Sequence, residues 1–293
     1  MVAILKFCCL TFLFSCFFPS DSSVRFDPES GKTDLQAISP LTQLIDTSGK
    51  TLATRLNPPA GFSRINFPNN AFANYLQNLP LKPHGAKVKY FNGQTKEDNR
   101  VYDAVVSLPI GKRDLHQCAD AVIRLRAEWL FSNNQFEKIC FNFTNGFKAC
   151  YSEWMKGRRI AVSGNRVWWT DGGLPVNTHE SFWKYLETVF AYAGTLSLSK
   201  EMVAIPLSEL SVGDVFIQGG LPGHAVIIVD MAVNKNTGEK LFLLAQSYMP
   251  AQEIQILKNP NNSSISPWYT ASFTTEIFTP EWTFRETDLK RFR

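Results

Sequence analysis

The sequence predicts an α+β fold in which one helix packs on an antiparallel sheet. Residues 119–131 are rich in good helix formers, whereas residues 225–232 form an apolar run typical of a buried central strand. A second apolar run, residues 241–248, follows the turn-forming segment 234–238. Because a short turn joins strands that run in opposite directions, the two runs are expected to pair as an antiparallel hairpin.

The composition is that of a globular protein. Of the 293 residues, 44% are hydrophobic and 19% are charged, which allows one substantial core. The formal net charge of +4 comes from scattered Lys and Arg residues, so we expect no nucleic-acid partner. The sequence has neither a phosphate-binding glycine loop nor a cluster of metal-ligand residues, so we expect no cofactor and no metal site.

The N-terminal segment predicts export. Lys6 precedes the apolar run 7–18, which is too short for an ordinary membrane-spanning helix and resembles a secretory signal. Residues 13–16 approximate a bacterial lipobox in which Cys16 would be acylated and would anchor the protein to a membrane. Plain secretion and lipidation are alternatives. Either one places the protein in the bacterial cell envelope, in the periplasm or as an outer-membrane lipoprotein.

Three regions are therefore expected along the chain. Residues 1–22 form the signal peptide or lipoprotein leader. Residues 23–40 are rich in Ser, Asp, Gly and Pro and lack an apolar period, which is typical of a flexible tether. Residues 41–293 are expected to fold as a single globular domain.

Cysteine spacing predicts one disulfide and one free thiol. Cys140 and Cys150 flank a hairpin pattern, and a loop of residues 144–146, with Gly146 in the left-handed conformation, would place them directly opposite each other. Opposed strand positions bring Cβ atoms to roughly 4.5–5.5 Å, which a local twist can close to a disulfide. Cys118 then remains as the free thiol of the domain. Alternatively, all three cysteines are buried and reduced.

Cys118 is the candidate nucleophile because of its position at a helix start. Asp114 and Gln117 have the spacing of a capping box with Asp114 as the N-cap, so Cys118 falls in the first helical turn. Unpaired backbone N–H groups and the positive end of the helix dipole favour a thiolate there. Because a cysteine at a helix start is more often structural, catalysis also requires a base.

His224 is the candidate base. It follows the loop 219–223, which contains three glycines, and it immediately precedes the apolar run 225–232. Glycines such as Gly220 let backbone or ligand approach closely, so His224 is expected beside open space. Alternatively, His224 is structural and satisfied by a local backbone bond. His84 and His179 are expected to be ordinary exposed polar residues. His116, two residues before Cys118, is expected to be solvated in the cap turn, with contact to the substrate pocket as the alternative.

Gln246 is the candidate orienting residue for His224. A hairpin loop of three or five residues would place both side chains on one face of the sheet, either opposite or on the neighbouring diagonal. A slip of one residue would send them to opposite faces. Asp230 would lie on the same face of the strand as His224, because the two are an even number of residues apart. It is six residues along the strand, roughly 20 Å away by strand rise, and is therefore a poor orienting residue.

The order of these residues resembles the NlpC-type branch of papain-like cysteine peptidases. In those enzymes a helix-start Cys precedes a strand that begins with His, and a polar residue follows on the next strand; residues 212–216 lead into the strand here. The resemblance implies a papain-like core, a catalytic set of Cys118, His224 and Gln246, and a cell-wall peptide substrate. Two departures are a long insert at about 132–206 and a Gln as the third residue.

A closer resemblance is to a family of exported bacterial proteins described as a domain of unknown function. It extends from about Asn57 to the C-terminus and depends on four segments, which are 117–128, 141–146, 217–226 and 244–252. This resemblance implies no established activity.

Four further residues are expected to contact the substrate. The Gln117 side chain would help the backbone N–H of Cys118 to hold an oxyanion, Gly220 would let substrate approach, and Tyr248 and Gln252 would form a pocket wall. The sequence thus predicts an envelope cysteine hydrolase or amidase. The alternative is a non-catalytic envelope protein that binds glycan, peptide or a protein partner in the same cleft. The aromatic residues that favour this alternative are Trp154, Trp168, Trp169 and Trp183.

Overall fold

The structure, a computed structural model, describes residues 43–273 and 275–293. The predicted leader (1–22), the predicted tether (23–40) and the candidate lipidation residue Cys16 lie outside these residues. Within the described ranges, no helix is both long enough and apolar enough to cross a membrane.

The described residues form six α-helices and fifteen strands, and all the α-helices precede β7. The helices are α1 (Leu52–Arg55), α2 (Phe72–Gln77), α3 (Cys118–Ser132), α4 (Tyr151–Met155), α5 (His179–Tyr192) and α6 (Thr195–Glu201). The strands are β1 (Ser63–Arg64), β2 (Tyr102–Val105), β3 (Cys140–Asn142), β4 (Lys148–Cys150), β5 (Arg159–Ser163), β6 (Arg166–Thr170), β7 (Val203–Ala204), β8 (Val215–Gln218), β9 (His224–Val233), β10 (Lys240–Gln246), β11 (Gln255–Leu257), β12 (Tyr269–Thr270), β13 (Glu276–Phe278), β14 (Thr283–Arg285) and β15 (Leu289–Arg291).

A nine-stranded antiparallel sheet forms the core. Its strand order is β2-β11-β10-β9-β8-β15-β7, with β1 paired to β9 and β12 paired to β10. The two central strands β9 and β10 are buried along almost their whole length, which explains their continuous apolar sequence. Three further hairpins, β3–β4, β5–β6 and β13–β14, lie outside this sheet.

Helix α3 packs on β9 and β10. Nine of its fifteen residues are buried, because other elements such as α2 and α6 pack on the helix as well. A helix that is apolar on most sides is typical of such a central position. The predicted α+β class, with a helix on an antiparallel sheet, is confirmed.

The pairing of β9 with β10 contains a β-bulge that the sequence did not predict. Leu243 lies opposite Asp230, but the next residue, Leu244, lies opposite Ile228, so Val229 is an extra residue in β9. A loop of three or five residues would pair residues whose numbers add to an even sum, but Lys240 lies opposite Val233 next to the turn. The bulge shifts the pairing by one residue, so the sum is even where the strands approach His224.

The hairpin of β3 and β4 carries the predicted disulfide. Cys140 lies directly opposite Cys150, and their sulfur atoms are bonded. The loop between Phe143 and Phe147 contains Gly146 at φ 92°, so the predicted left-handed glycine is confirmed. Helix α5 follows the β5–β6 hairpin, and one face of it is buried, with Phe182, Tyr185, Leu186, Val189 and Phe190.

Candidate functional site

Cys118 occupies the first position of α3. The N-cap is Gln117, and the carboxyl group of Asp120 accepts a hydrogen bond from the Gln117 backbone N–H at 3.0 Å. The expectation that Asp114 is the N-cap is therefore wrong. Asp114 instead accepts hydrogen bonds from the Gln117 side chain at 3.1 Å and from the backbone N–H of Ala251 at 2.7 Å. These contacts tie the helix start to the loop that follows β10.

The sulfur of Cys118 lies against the first residues of β9. Backbone N–H groups of Ala119, Ala225 and Cys118 itself face the thiol and lower its pKa, as a helix start predicts. Burial outweighs them and, together with the nearby Asp120, raises the pKa of Cys118 to about 11. The expected preference for thiolate is therefore reversed. The residue is nevertheless partly exposed, so the site is open to solvent.

His224 is the first residue of β9 and is 1% exposed. Its Nε2 atom lies 2.8 Å from Oε1 of Gln246, which confirms the predicted contact between the two side chains. An amide oxygen only accepts, so His224 Nε2 donates, and a neutral imidazole then carries its lone pair on Nδ1. Burial lowers the pKa of His224 to about 4, against the opposing effect of the Gln246 hydrogen bond. At neutral pH the ring is therefore an uncharged base.

Three aromatic rings surround the imidazole. Its centroid lies 4.8 Å from that of Tyr248, 5.3 Å from Trp282 and 5.9 Å from Phe284. Gln218, opposite His224 in β8, accepts a hydrogen bond from the Trp282 indole at 3.0 Å. The rings remove water from the imidazole, which is the physical cause of its lowered pKa.

An ion pair that the sequence did not predict lies behind Gln246. Nε2 of Gln246 donates to Oε2 of Glu281 at 2.6 Å, and Nζ of Lys96 lies 2.7 and 2.9 Å from the two carboxylate oxygens. Lys96 is 5% exposed, which is rare for a lysine. No local pattern around Lys96 or Glu281 indicates this role, because the two residues are brought together only by the fold.

The four expected substrate contacts have different positions in the structure. Tyr248 is half-buried beside His224 and is well placed. Gly220 is partly exposed, with φ 149°, in the loop before His224. The side chain of Gln117 is engaged with Asp114. Gln252 is 1% exposed and its amide group is hydrogen-bonded inside the protein, so its expected substrate contact has no support.

The loops on either side of the site present apolar side chains to solvent. Leu221, in the loop before β9, is fully exposed, and Met249, in the loop after β10, is 66% exposed. His116, in contrast, is fully buried, and burial lowers its pKa to about 3. The expectation that His116 is solvated is therefore wrong, and its burial prevents contact with a substrate.

Other potential sites are less suited to chemistry. Among residues 43–273 and 275–293, no group of three or more His, Cys, Asp and Glu side chains is placed to hold a metal ion. A surface cavity of about 530 Å³ lies elsewhere in the fold and is lined by residues that include Arg126, Asp214 and Arg291. We place the candidate site at Cys118 because the cavity lining contains no nucleophile paired with a base.

The raised pKa of Cys118 predicts how its alkylation depends on pH. While the pH stays below the pKa, the thiolate fraction rises about tenfold per pH unit, so alkylation by iodoacetamide should accelerate continuously between about pH 6 and 9. The measurement is the initial rate of modification of the peptide that contains Cys118, by mass spectrometry. The Cys118→Ser variant gives the background. A plateau that begins below about pH 7.5 would contradict the raised pKa.

Comparison with known proteins identifies a family for this fold and site. No curated protein and no solved structure matches the chain. A protein-family model, described as Domain of unknown function (4846), matches residues 52–291. The match covers most of the chain and contains Cys118, His224, Gln246, Lys96 and Glu281. The chain therefore belongs to the DUF4846 family.

Proposed function

We propose that this protein is an envelope cysteine hydrolase or amidase with a papain-like, NlpC-type core. The observation that carries the proposal is the position of the Cys118 thiol at the end of β9 that begins with His224. The Cys118 thiol faces the backbone of Ala225, and the adjacent His224 is oriented by Gln246 at 2.8 Å. A nucleophile beside a base, with the base oriented by a third group, is the recurring arrangement of covalent catalysis.

The proposed reaction begins with a neutral thiol and a neutral imidazole. As the Cys118 sulfur forms a bond to the amide carbonyl carbon, Nδ1 of His224 accepts the thiol proton. The tetrahedral intermediate collapses, the C–N bond breaks, and the leaving amine takes the proton back from Nδ1. Water then attacks the thioester and gives a proton to Nδ1. Release of a carboxylic acid returns that proton to the sulfur and restores the starting state.

Backbone donors at the start of α3 would stabilise the oxyanion. The N–H of Cys118 belongs to the first helical turn, where it has no intrahelical acceptor. The Gln117 side chain, assigned to this role from the sequence, is already bonded to Asp114. We therefore assign the oxyanion contact to the backbone and give Gln117 the task of holding the helix start in place.

A neutral resting pair requires proton transfer in the same step as attack. Burial is the main cause of both the raised pKa of Cys118 and the lowered pKa of His224, because it disfavours the thiolate and the imidazolium alike. The proposed enzyme therefore depends on His224 as a general base rather than on a preformed ion pair. Correct placement of the lone pair on Nδ1 is then essential.

Export and a cell-wall substrate are proposed on separate grounds. The Cys140–Cys150 disulfide supports an oxidising compartment, in agreement with the signal-like residues 1–22 and with acylation of Cys16 as one route to a membrane anchor. A cell-wall peptide is the amide substrate that combines this location with the resemblance to NlpC-type peptidases.

The test is incubation of the protein with purified peptidoglycan, followed by mass analysis of the released fragments. We expect wild type to release fragments with new amine and carboxyl ends, and both Cys118→Ala and Cys118→Ser to release none above background. The unfolding midpoints of both variants establish that they are folded. Equal release by wild type and Cys118→Ala would overturn the proposal.

A binding function in the same cleft is the second candidate. It is favoured by the rings around His224 and by the raised pKa of Cys118, which makes a weak nucleophile at neutral pH. In that case wild type and Cys118→Ala bind peptidoglycan equally in a sedimentation assay, and neither of them releases fragments.

A further inference from the structure

A continuous chain of hydrogen bonds leads from the candidate base to a buried ammonium group. Nε2 of His224 meets Oε1 of Gln246, and Nε2 of Gln246 meets Oε2 of Glu281. Both oxygens of Glu281 accept from Nζ of Lys96. Each residue comes from a different part of the fold, so the chain of bonds exists only in the folded domain.

The negative charge of Glu281, near one end of this series of hydrogen bonds, determines where the proton lies on His224 at the other end. A carboxylate only accepts hydrogen bonds, so Glu281 requires the NH₂ group of Gln246 to face it. The amide oxygen of Gln246 must then face His224. Because that oxygen also only accepts, the proton of the neutral imidazole must be on Nε2, and Nδ1 carries the lone pair.

The reversed amide would have the opposite effect. If the oxygen of Gln246 faced the Glu281 carboxylate, two acceptors would lie 2.6 Å apart without a proton between them. The NH₂ group would then donate to Nε2 of His224, and the imidazole proton would move to Nδ1. A protonated Nδ1 cannot accept a proton from a thiol.

Glu281 is held firmly in this position. It lies in the turn between β13 and β14, where Thr279 and Trp282 bond to each other through backbone and side-chain groups at 2.8 to 3.1 Å. Lys96 is 5.9 Å from the Tyr248 ring centroid, and its backbone N–H donates to the carbonyl of Val88 at 2.9 Å. Neither partner needs to rearrange to keep the ion pair.

We propose that Glu281 is a positioning residue that fixes His224 in the Nε2-protonated tautomer by orienting the amide of Gln246, with Lys96 holding its carboxylate. The catalytic consequence of this role depends on the proposed function, whereas the tautomer itself does not. Glu281 does not touch the substrate and acts entirely through Gln246. In Glu281→Gln, the side chain at position 281 can donate a hydrogen bond as well as accept one. The reversed orientation of the Gln246 amide is then no longer excluded.

The test is ¹⁵N NMR of the full chain labelled only at histidine. Four histidines give a spectrum simple enough to assign, with His224→Gln identifying the relevant signals. At neutral pH we expect wild type to show the Nε2-protonated tautomer of His224. Glu281→Gln should show the Nδ1-protonated tautomer as a substantial population.

Matched variants separate this role from general destabilisation. Glu276→Gln removes an exposed carboxylate from the same β13–β14 hairpin and should leave the His224 signals unchanged. The double variant Lys96→Met/Glu281→Gln removes both charges, so no buried ammonium remains unpaired if the single variant folds poorly. The proposal is overturned if both Glu281 variants keep the wild-type tautomer, or if wild type itself carries the proton on Nδ1.

Activity provides the second measurement. With peptidoglycan fragments as substrate, Glu281→Gln should lower kcat about 10- to 100-fold and leave KM nearly unchanged, because the residue orients a base and does not bind substrate. An inactive wild type whose tautomer still responds to Glu281→Gln would remove the proposed hydrolase but support the positioning role. An active enzyme in which Glu281→Gln leaves the His224 tautomer unchanged would support the proposed hydrolase and overturn the positioning role.

Discussion

Replacement of Asp230 by alanine is expected to lower the free energy of unfolding by about 3–5 kcal/mol, the usual cost of breaking a buried ion pair on one side. Asp230 is fully buried in β9 and lies 2.8 Å from Nε of Arg64. It also accepts from Nε2 of Gln77 at 2.6 Å and from the backbone N–H of Met231 at 2.8 Å. The substitution leaves these donors unsatisfied and loosens β1 and α2 from the central strand.

Urea denaturation of wild type and variant measures this loss. Asp98→Ala is the matched control, because Asp98 forms an exposed ion pair with Arg100, and such pairs contribute little to stability. Asp230→Asn should fall between the two, since it removes the charge but keeps the shape of the side chain. Equal stability of Asp230→Ala and Asp98→Ala would show that the buried cluster does not stabilise the fold.

Replacement of His224 by glutamine is expected to lower kcat for amide hydrolysis by about 10²- to 10⁴-fold, the usual contribution of a general base. Glutamine retains a hydrogen bond to Gln246 but cannot accept the Cys118 proton. The matched control is His84→Gln, the same substitution at an exposed loop residue, which should retain wild-type kcat. If fragment release by His224→Gln equals that of wild type, another group must be the base.

The pH dependence of the wild-type reaction tests the same residue. His224 is active only when neutral, and its pKa of about 4 means that it stays neutral well below the usual range of histidine. The acid limb of kcat/KM should therefore fall near pH 4 to 5, whereas a solvated histidine would give a limb near pH 6.5.

Local sequence determines the elements that carry the candidate site. A run of helix formers after Gln117 predicts α3, and the apolar runs after His224 and residue 240 predict the paired strands β9 and β10. The glycine turn between Cys140 and Cys150 likewise predicts the disulfide. These features depend on residues close together in the chain, so propensity and period are sufficient to identify them.

The contact between His224 and Gln246 depends both on the local sequence and on the tertiary structure. The sequence correctly predicts that the two side chains share one face of the sheet. That prediction assumes a hairpin loop of three or five residues, and the strand register next to the turn does not match such a loop. Without the extra residue Val229, the strands would place the two side chains on opposite faces. The bulge lies between the residues of β9 that pair with β1 and those that pair with β8, so β9 is held by two further strands besides its hairpin partner.

Tertiary structure alone determines the electrostatics of the site. The sequence of α3 predicts an acidic thiol, but burial makes the Cys118 thiol less acidic than usual. Lys96 and Glu281 are 185 residues apart and become partners only when the β13–β14 hairpin packs on β8 of the central sheet. Solvation and ion pairing depend on every group packed around an atom, and those groups come from distant parts of the chain. A single sequence therefore predicts which residues begin the strand and the helix, whereas their protonation states are determined only by the folded protein.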